Sequence, residues 1–203
     1  MLPFFRRKTR QGDFWAWLQE NTDRIKRNGG EISPRVLREL SEAFASSYPD
    51  LVWEVGPRDE DCWEFCVSAD GDPNLVDKVY SAIEDAPELD GWVVLPFRQR
   101  GPLTVEVGFG DASMGYDDLW CRVKADGHRA KVKVLIRGLT EENSEQLLGA
   151  SLILLDNAIG EEDSLTMLSH LSNGPLPDNP QRTDSCFPLA ELPAWLDRLK
   201  ESD

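Results

Sequence analysis

Apolar residues recur at helical spacing near the start of the chain, then at every second position, and the two periods alternate to its end. Asp13 stands before Phe14-Trp15-Ala16-Trp17-Leu18 as an N-cap and predicts a helix over 13–28, stopped by Gly29-Gly30. Ser33-Pro34 pairs an N-cap with a proline at the first helical position, opening a second helix to about 47. On it Val36, Leu37, Leu40, Ala43 and Phe44 define one apolar face. Strand patterns follow at 51–55 and 62–67; in the second, Trp63, Phe65 and Val67 share a face opposite Cys62, Glu64 and Cys66. Asp72-Pro73 caps a helix that ends at Pro87, and 91–97 reads as a third strand.

The second half repeats this order. A strand at 103–109 and a polar loop at 110–117 lead to a hairpin, 119–124 and 130–136, around Asp126-Gly127. In its second strand Val132, Val134 and Ile136 face inward, while Lys131 and Lys133 face out. The longest helix is predicted over 141–159 with Leu147, Leu148, Leu152, Leu155 and Ile159 on its buried side, ended by Gly160, followed by a short strand at 165–170 and an irregular, proline-bearing loop at 172–186. A helix over 189–200, anchored by Trp195, closes the chain. The expected fold is α+β: two strand-strand-helix-strand units forming mixed or antiparallel sheet, with an N-terminal helix pair and a C-terminal helix. Residues 1–12 are expected to be a flexible basic terminus, and 13–203 one α+β domain with 13–100 and 101–203 as its alternative halves.

Composition is globular, with 40% hydrophobic and 29% charged residues, so disorder is excluded. The net charge of −15 repels phosphate backbones, and no nucleic-acid partner is expected unless basic groups cluster. No apolar run approaches the roughly 18 residues of a membrane span, and the start lacks the apolar stretch of a signal peptide. A cytoplasmic location with free thiols at Cys62, Cys66, Cys121 and Cys186 is the expectation.

Catalytic motifs are missing. There is no Gly-x-Ser-x-Gly, no Walker loop and no Gly-x-Gly-x-x-Gly after a strand. Cys62 and Cys66 on one strand face stand roughly 13 Å apart, too far to share a zinc ion. Asp70-Gly71-Asp72-Pro73-Asn74 opens like a calcium loop, but Leu75 replaces its turn glycine and Ser81 its bidentate Glu. Neither metal nor cofactor is expected, and no catalytic residue is assigned. Cys121 or Cys186 with His128 or His170 stays open as a nucleophile–base pair. Arg98-Gln99-Arg100 is a small basic island suited to a carboxylate or phosphate, or to the chain's own acids.

Three stretches recur together in a recognisable order: Phe14-Trp15-Ala16-Trp17-Leu18, Ala86 to Trp92 leading to Phe97-Arg98, and Leu155 to Glu161. With them the chain resembles a group of uncharacterised bacterial proteins of about 200 residues, over most of its length. That resemblance implies no activity and no site residue.

The expected function is a non-enzymatic protein-binding module. One concrete form is a bacterial inhibitor or immunity protein that covers a basic toxin or enzyme with an acidic surface. Its candidate binding residues are Trp15, Asp117, Asp118, Glu161, Glu162 and Asp163. Trp15 and Trp17 lie about 200° apart on a helix, so one of them is expected at the surface. The alternatives are an enzyme with its site near Arg98 and Arg100, and a structural or assembly protein.

Overall fold

The computed structural model describes residues 13–27, 31–60, 62–109 and 112–201. The basic terminus over 1–12, the Gly29-Gly30 stop and the Gly110-Asp111 turn lie outside them. The chain separates into two compact units, with the division between Phe97 and Arg98.

The first unit opens with α1 (Phe14–Lys26) and α2 (Pro34–Ser47), capped as expected: the Asp13 carboxylate accepts from the Ala16 amide, and the Ser33 hydroxyl from that of Val36. β1 (Val52–Pro57) runs antiparallel to β2 (Trp63–Ser68). A crossover through α3 (Val76–Glu84) then sets β3 (Trp92–Pro96) parallel to β2 on its other side, in the order β1-β2-β3. As the central strand, β2 is covered along nearly its whole length, and Cys66 is buried as well as Phe65 and Val67. Phe65 is the hub of an aromatic core, its ring centroid 5.1 Å from Phe14, 5.9 Å from Phe44 and 5.9 Å from the stacked Trp53. Such contacts add about 0.5–1.5 kcal/mol each beyond the area they bury. Indole donors are satisfied within the unit, Trp15 by the Tyr48 hydroxyl at 2.9 Å and Trp92 by that of Thr22 at 3.0 Å.

The second unit begins with a small ribbon, β4 (Val107–Phe109) and β5 (Ala112–Met114), where a longer strand from residue 103 was expected. β6 (Leu119–Asp126) and β7 (Arg129–Ile136) form the predicted hairpin through Gly127-His128. Gly127 sits at φ +65°, as the first residue of a two-residue turn of this kind requires. Next come α4 (Ser144–Ile159), α5 (Glu161–Thr166), β8 (Leu168–Pro175), β9 (Cys186–Pro188) and α6 (Leu192–Lys200). β8 is parallel to β7 and β9 antiparallel to β6, giving the order β8-β7-β6-β9. One face of this sheet, with Cys121, Val123, Val132, Val134 and Ile136, packs under Leu154, Leu155 and Ile159 of α4 and Leu192 and Leu196 of α6.

Hairpin, helix and a parallel strand beside the second hairpin strand therefore occur twice, in β1-β2-α3-β3 and in β6-β7-α4-β8. Four expectations are corrected. α4 starts at Ser144 because the Asn143 side chain ties down the preceding turn, accepting from the Thr140 amide and donating to the Gly138 carbonyl. Residues 161–166 are helical: Gly160 at φ +77° restarts the chain with Glu161, Glu162 and Asp163 at the positive helix end. Residues 172–175 continue β8, whose position at the sheet edge tolerates Pro175. Leu192 and Leu196 anchor α6 in the core, and Trp195 is only half-buried.

Candidate functional site

Arg98 and Arg100 enter the second unit as an extended segment across the junction of α4 and α5. Arg98 Nε lies 3.1 Å from Asp156 Oδ2 and 3.8 Å from Glu161 Oε2, and the Arg98 amide donates to that same Glu161 oxygen at 3.1 Å. Arg100 donates through Nη2 to Asp163 at 2.6 Å, through both Nη atoms to Asp197, and through Nε to the Ile159 carbonyl. Lys200 closes the network on the second Asp163 oxygen at 2.6 Å. Donating hydrogen bonds to Asp197 and Asp163 raises the Arg100 pKa, and accepting them lowers that of Asp197. Burial pushes the Asp156 carboxyl above its ordinary value, with Arg98 opposing. Two guanidinium groups matched by four acids hold α4, α5 and α6 together.

The expected acidic surface is thereby divided. Glu161 and Asp163 are buried among those cations and offer no outward charge. Glu162 is exposed, with its carbonyl bound by the Thr166 hydroxyl. Asp117 is exposed and Asp118 pairs with Arg137 at 3.4 Å, on the single turn before β6. Trp15 is buried against Phe14 and Phe65, so it cannot anchor a partner; Trp17, two residues on, is the tryptophan of the pair that reaches solvent.

The cysteines and histidines considered as nucleophile–base pairs occupy separate places in the second unit. Cys121 lies in the core beneath α4, and burial pushes its thiol well above the ordinary value. Cys186 sits on the opposite sheet face in a small apolar cluster with Leu135 and Leu176. His128 occupies the hairpin turn, and His170 pairs in register with Lys131 on β7. Among the described residues no three His, Cys, Asp or Glu side chains gather as a metal site would require, and no helix is long and apolar enough to cross a membrane. A hollow of about 460 Å³ is lined by Arg182, Thr183, Asp184, Phe187, Glu191, Trp195 and Arg198. Its two cations and two acids balance, and Arg182 already grips Glu191 with both Nη atoms.

The feature that sequence periodicity missed is the outer side of α4. That helix is apolar nearly all round, and such a helix is normally enclosed. Here one stripe, Glu145, Gly149, Leu152 and Ile153, points away from the core at intervals of three and four residues. Leu152, expected on the buried side, is 45% exposed, and Ile153 58%. A Cβ added at Gly149 would meet nothing within 4 Å, so the stripe has a flat shelf one turn before its apolar centre. One turn after it, Asn157 is bound to the Pro102 carbonyl and the Gly101 amide to the Asn157 carbonyl, starting a segment that carries the exposed Leu103 and Val105. The sequence signal was present in Leu152-Ile153-Leu154-Leu155, four apolar residues in a row where a one-sided helix needs two.

No protein-family model, curated protein or solved structure matches the chain.

Proposed function

We propose that this chain is a non-enzymatic protein-binding module that docks an amphipathic, basic helix of another protein on the outer stripe of α4. The observation that supports it is the exposure of Leu152 and Ile153, two turns after the exposed Glu145, on a helix whose other side is packed into the core. Fully burying an exposed Leu or Ile side chain contributes roughly 1.5–3 kcal/mol, and Leu152 and Ile153, about half exposed, each have roughly half of that still to gain from a partner. An apolar centre with a polar rim has the anatomy of an interface, and Gly149 lets a partner backbone come close. Glu145 and the net charge of −15 favour a partner bearing Lys or Arg and make its capture rate depend on salt. An inhibitor or immunity protein covering a basic toxin or enzyme is one form of this reading. The enzyme alternative near Arg98 and Arg100 loses support, because both side chains are engaged by the unit's own acids.

The test places a photo-crosslinking side chain at position 153 of the full chain, identifies the crosslinked protein and measures its affinity for wild type and for Leu152→Asp/Ile153→Asp. The expected partner is basic, binds the double variant at least 100-fold more weakly and associates more slowly as salt rises. A partner that binds the variant as tightly as wild type sinks the proposal. Self-association that vanishes in the variant would replace the partner with a second copy and so also overturn it.

A further inference from the structure

The acids that give the chain its charge are unevenly spread, and one surface of the second unit is cationic. The face of the β8-β7-β6-β9 sheet turned away from α4 carries Arg122, Lys124 and Asp126 on β6 and Arg129, Lys131 and Lys133 on β7, all exposed. Acids outnumber bases 37 to 22 in the chain, yet here five Lys and Arg face a single Asp. Register sets Arg122 directly opposite Lys133, and Lys124 opposite Lys131, with His170 of β8 beside Lys131. Like charges directly opposite on a sheet repel, so two such pairs in adjacent rows are mildly destabilising, and an anion lying across them would relieve the repulsion that Asp126 offsets only in part. Lys131 is 3.3 Å from Asp126, Arg129 donates to the Leu168 carbonyl, and Lys133 extends over Gly174, where a side chain on β8 would collide with it. In the next row Trp120, half-buried, rests on the cluster of Leu135, Leu176 and Cys186.

We propose that this sheet face binds the sugar–phosphate backbone of single-stranded nucleic acid, with Trp120 as a stacking platform for one base. Cations in parallel rows beside an aromatic ring are the two components such binding needs, and a flat sheet meets unstacked bases more readily than it enters a duplex groove. The net charge does not prevent it. Acids on the outer side of a helix are separated from the sheet by the helix itself, about 10 Å across, and charges farther apart than about 8 Å are largely screened at physiological salt. The inference uses a different surface from the α4 stripe and stands whether or not that stripe binds a protein.

Fluorescence anisotropy of short labelled oligo-U and oligo-dT with the full chain tests it. Four phosphate contacts predict binding that weakens about 50-fold between about 50 and 200 mM salt. Lys124→Glu/Lys131→Glu is expected to weaken low-salt binding more than 10-fold and to flatten the salt response to about sevenfold. Arg35→Glu/Lys78→Glu, an equal change of charge in the first unit, is expected to leave affinity within twofold. A preference between the two oligonucleotides assigns RNA or DNA. The proposal is overturned by no anisotropy change at low salt, by equal weakening in both double variants, or by tighter binding of poly-glutamate or anionic vesicles than of either oligonucleotide.

Discussion

Asp163 shows how burial changes the value of an ion pair. Its side chain is 8% exposed and accepts from both Arg100 and Lys200, whereas Asp197, which also binds Arg100, is 48% exposed. Removing a buried partner strands its cations, at about 3–5 kcal/mol, while an exposed pair is worth under about 1 kcal/mol. Asp163→Ala is therefore expected to lower the urea midpoint of the second unit strongly, and Asp197→Ala only slightly. Tyr48 gives a pH signature in the first unit. Burial first, then Asp85 nearby, pushes its hydroxyl up to about 12, against the indole N–H of Trp15, which favours ionisation. The folded state holds this proton more tightly than the unfolded chain. Its contribution is complete below the ordinary value of about 10 and is lost as pH rises through about 12. Phenolate absorbance in an alkaline titration should show a late step near 12 that Tyr48→Phe removes.

Helix ends and strand edges explain which predicted elements kept their boundaries. α1 and α2 begin where a side-chain oxygen meets an orphan amide, Asp13 to Ala16 and Ser33 to Val36, and these caps are local enough to read from sequence. Ser33→Ala is expected to cost about 1 kcal/mol, seen as a lower thermal midpoint, with Ser33→Asp restoring most of it. α5 was hidden because Leu165 to His170 contains enough apolar residues to pass for a strand, while its helical start depends on the positive φ of Gly160. That glycine has little room to change: a Cβ there would stand 3.3 Å from the Arg98 carbonyl. Pro175 in β8 misled in the opposite direction, since proline reads as a breaker unless the strand is known to be an edge.

Each unit has its own sheet, crossover helix and buried apolar residues, and the shared connectivity makes each half a complete folding pattern. The core under α4 and α6 draws its buried members from residues 114–196 alone. A fragment spanning residues 98–203 is therefore expected to unfold cooperatively by far-ultraviolet circular dichroism. A gradual, non-cooperative melt would show that its core does not suffice. The second unit also holds both proposed surfaces on opposite sides of one layer pair, the stripe on the helix layer and the cations on the sheet.

Along the chain, repeating periods and capping residues were enough to place the helix pair, the hairpin, the crossover helix of the first unit and the α+β class, because each depends on neighbours within a few positions. The outward direction of Lys131 and Lys133 was equally legible from alternation. Where residues far apart in sequence meet was not. Trp15 or Trp17 at the surface, Glu161 and Asp163 spent on Arg98, Arg100 and Lys200, and Arg122 and Lys124 set against Lys133 and Lys131 are all consequences of packing and strand register. A period says which side chains share a face. It does not say what that face will touch, because contact is settled by the long-range closure of sheets and helices around a common interior.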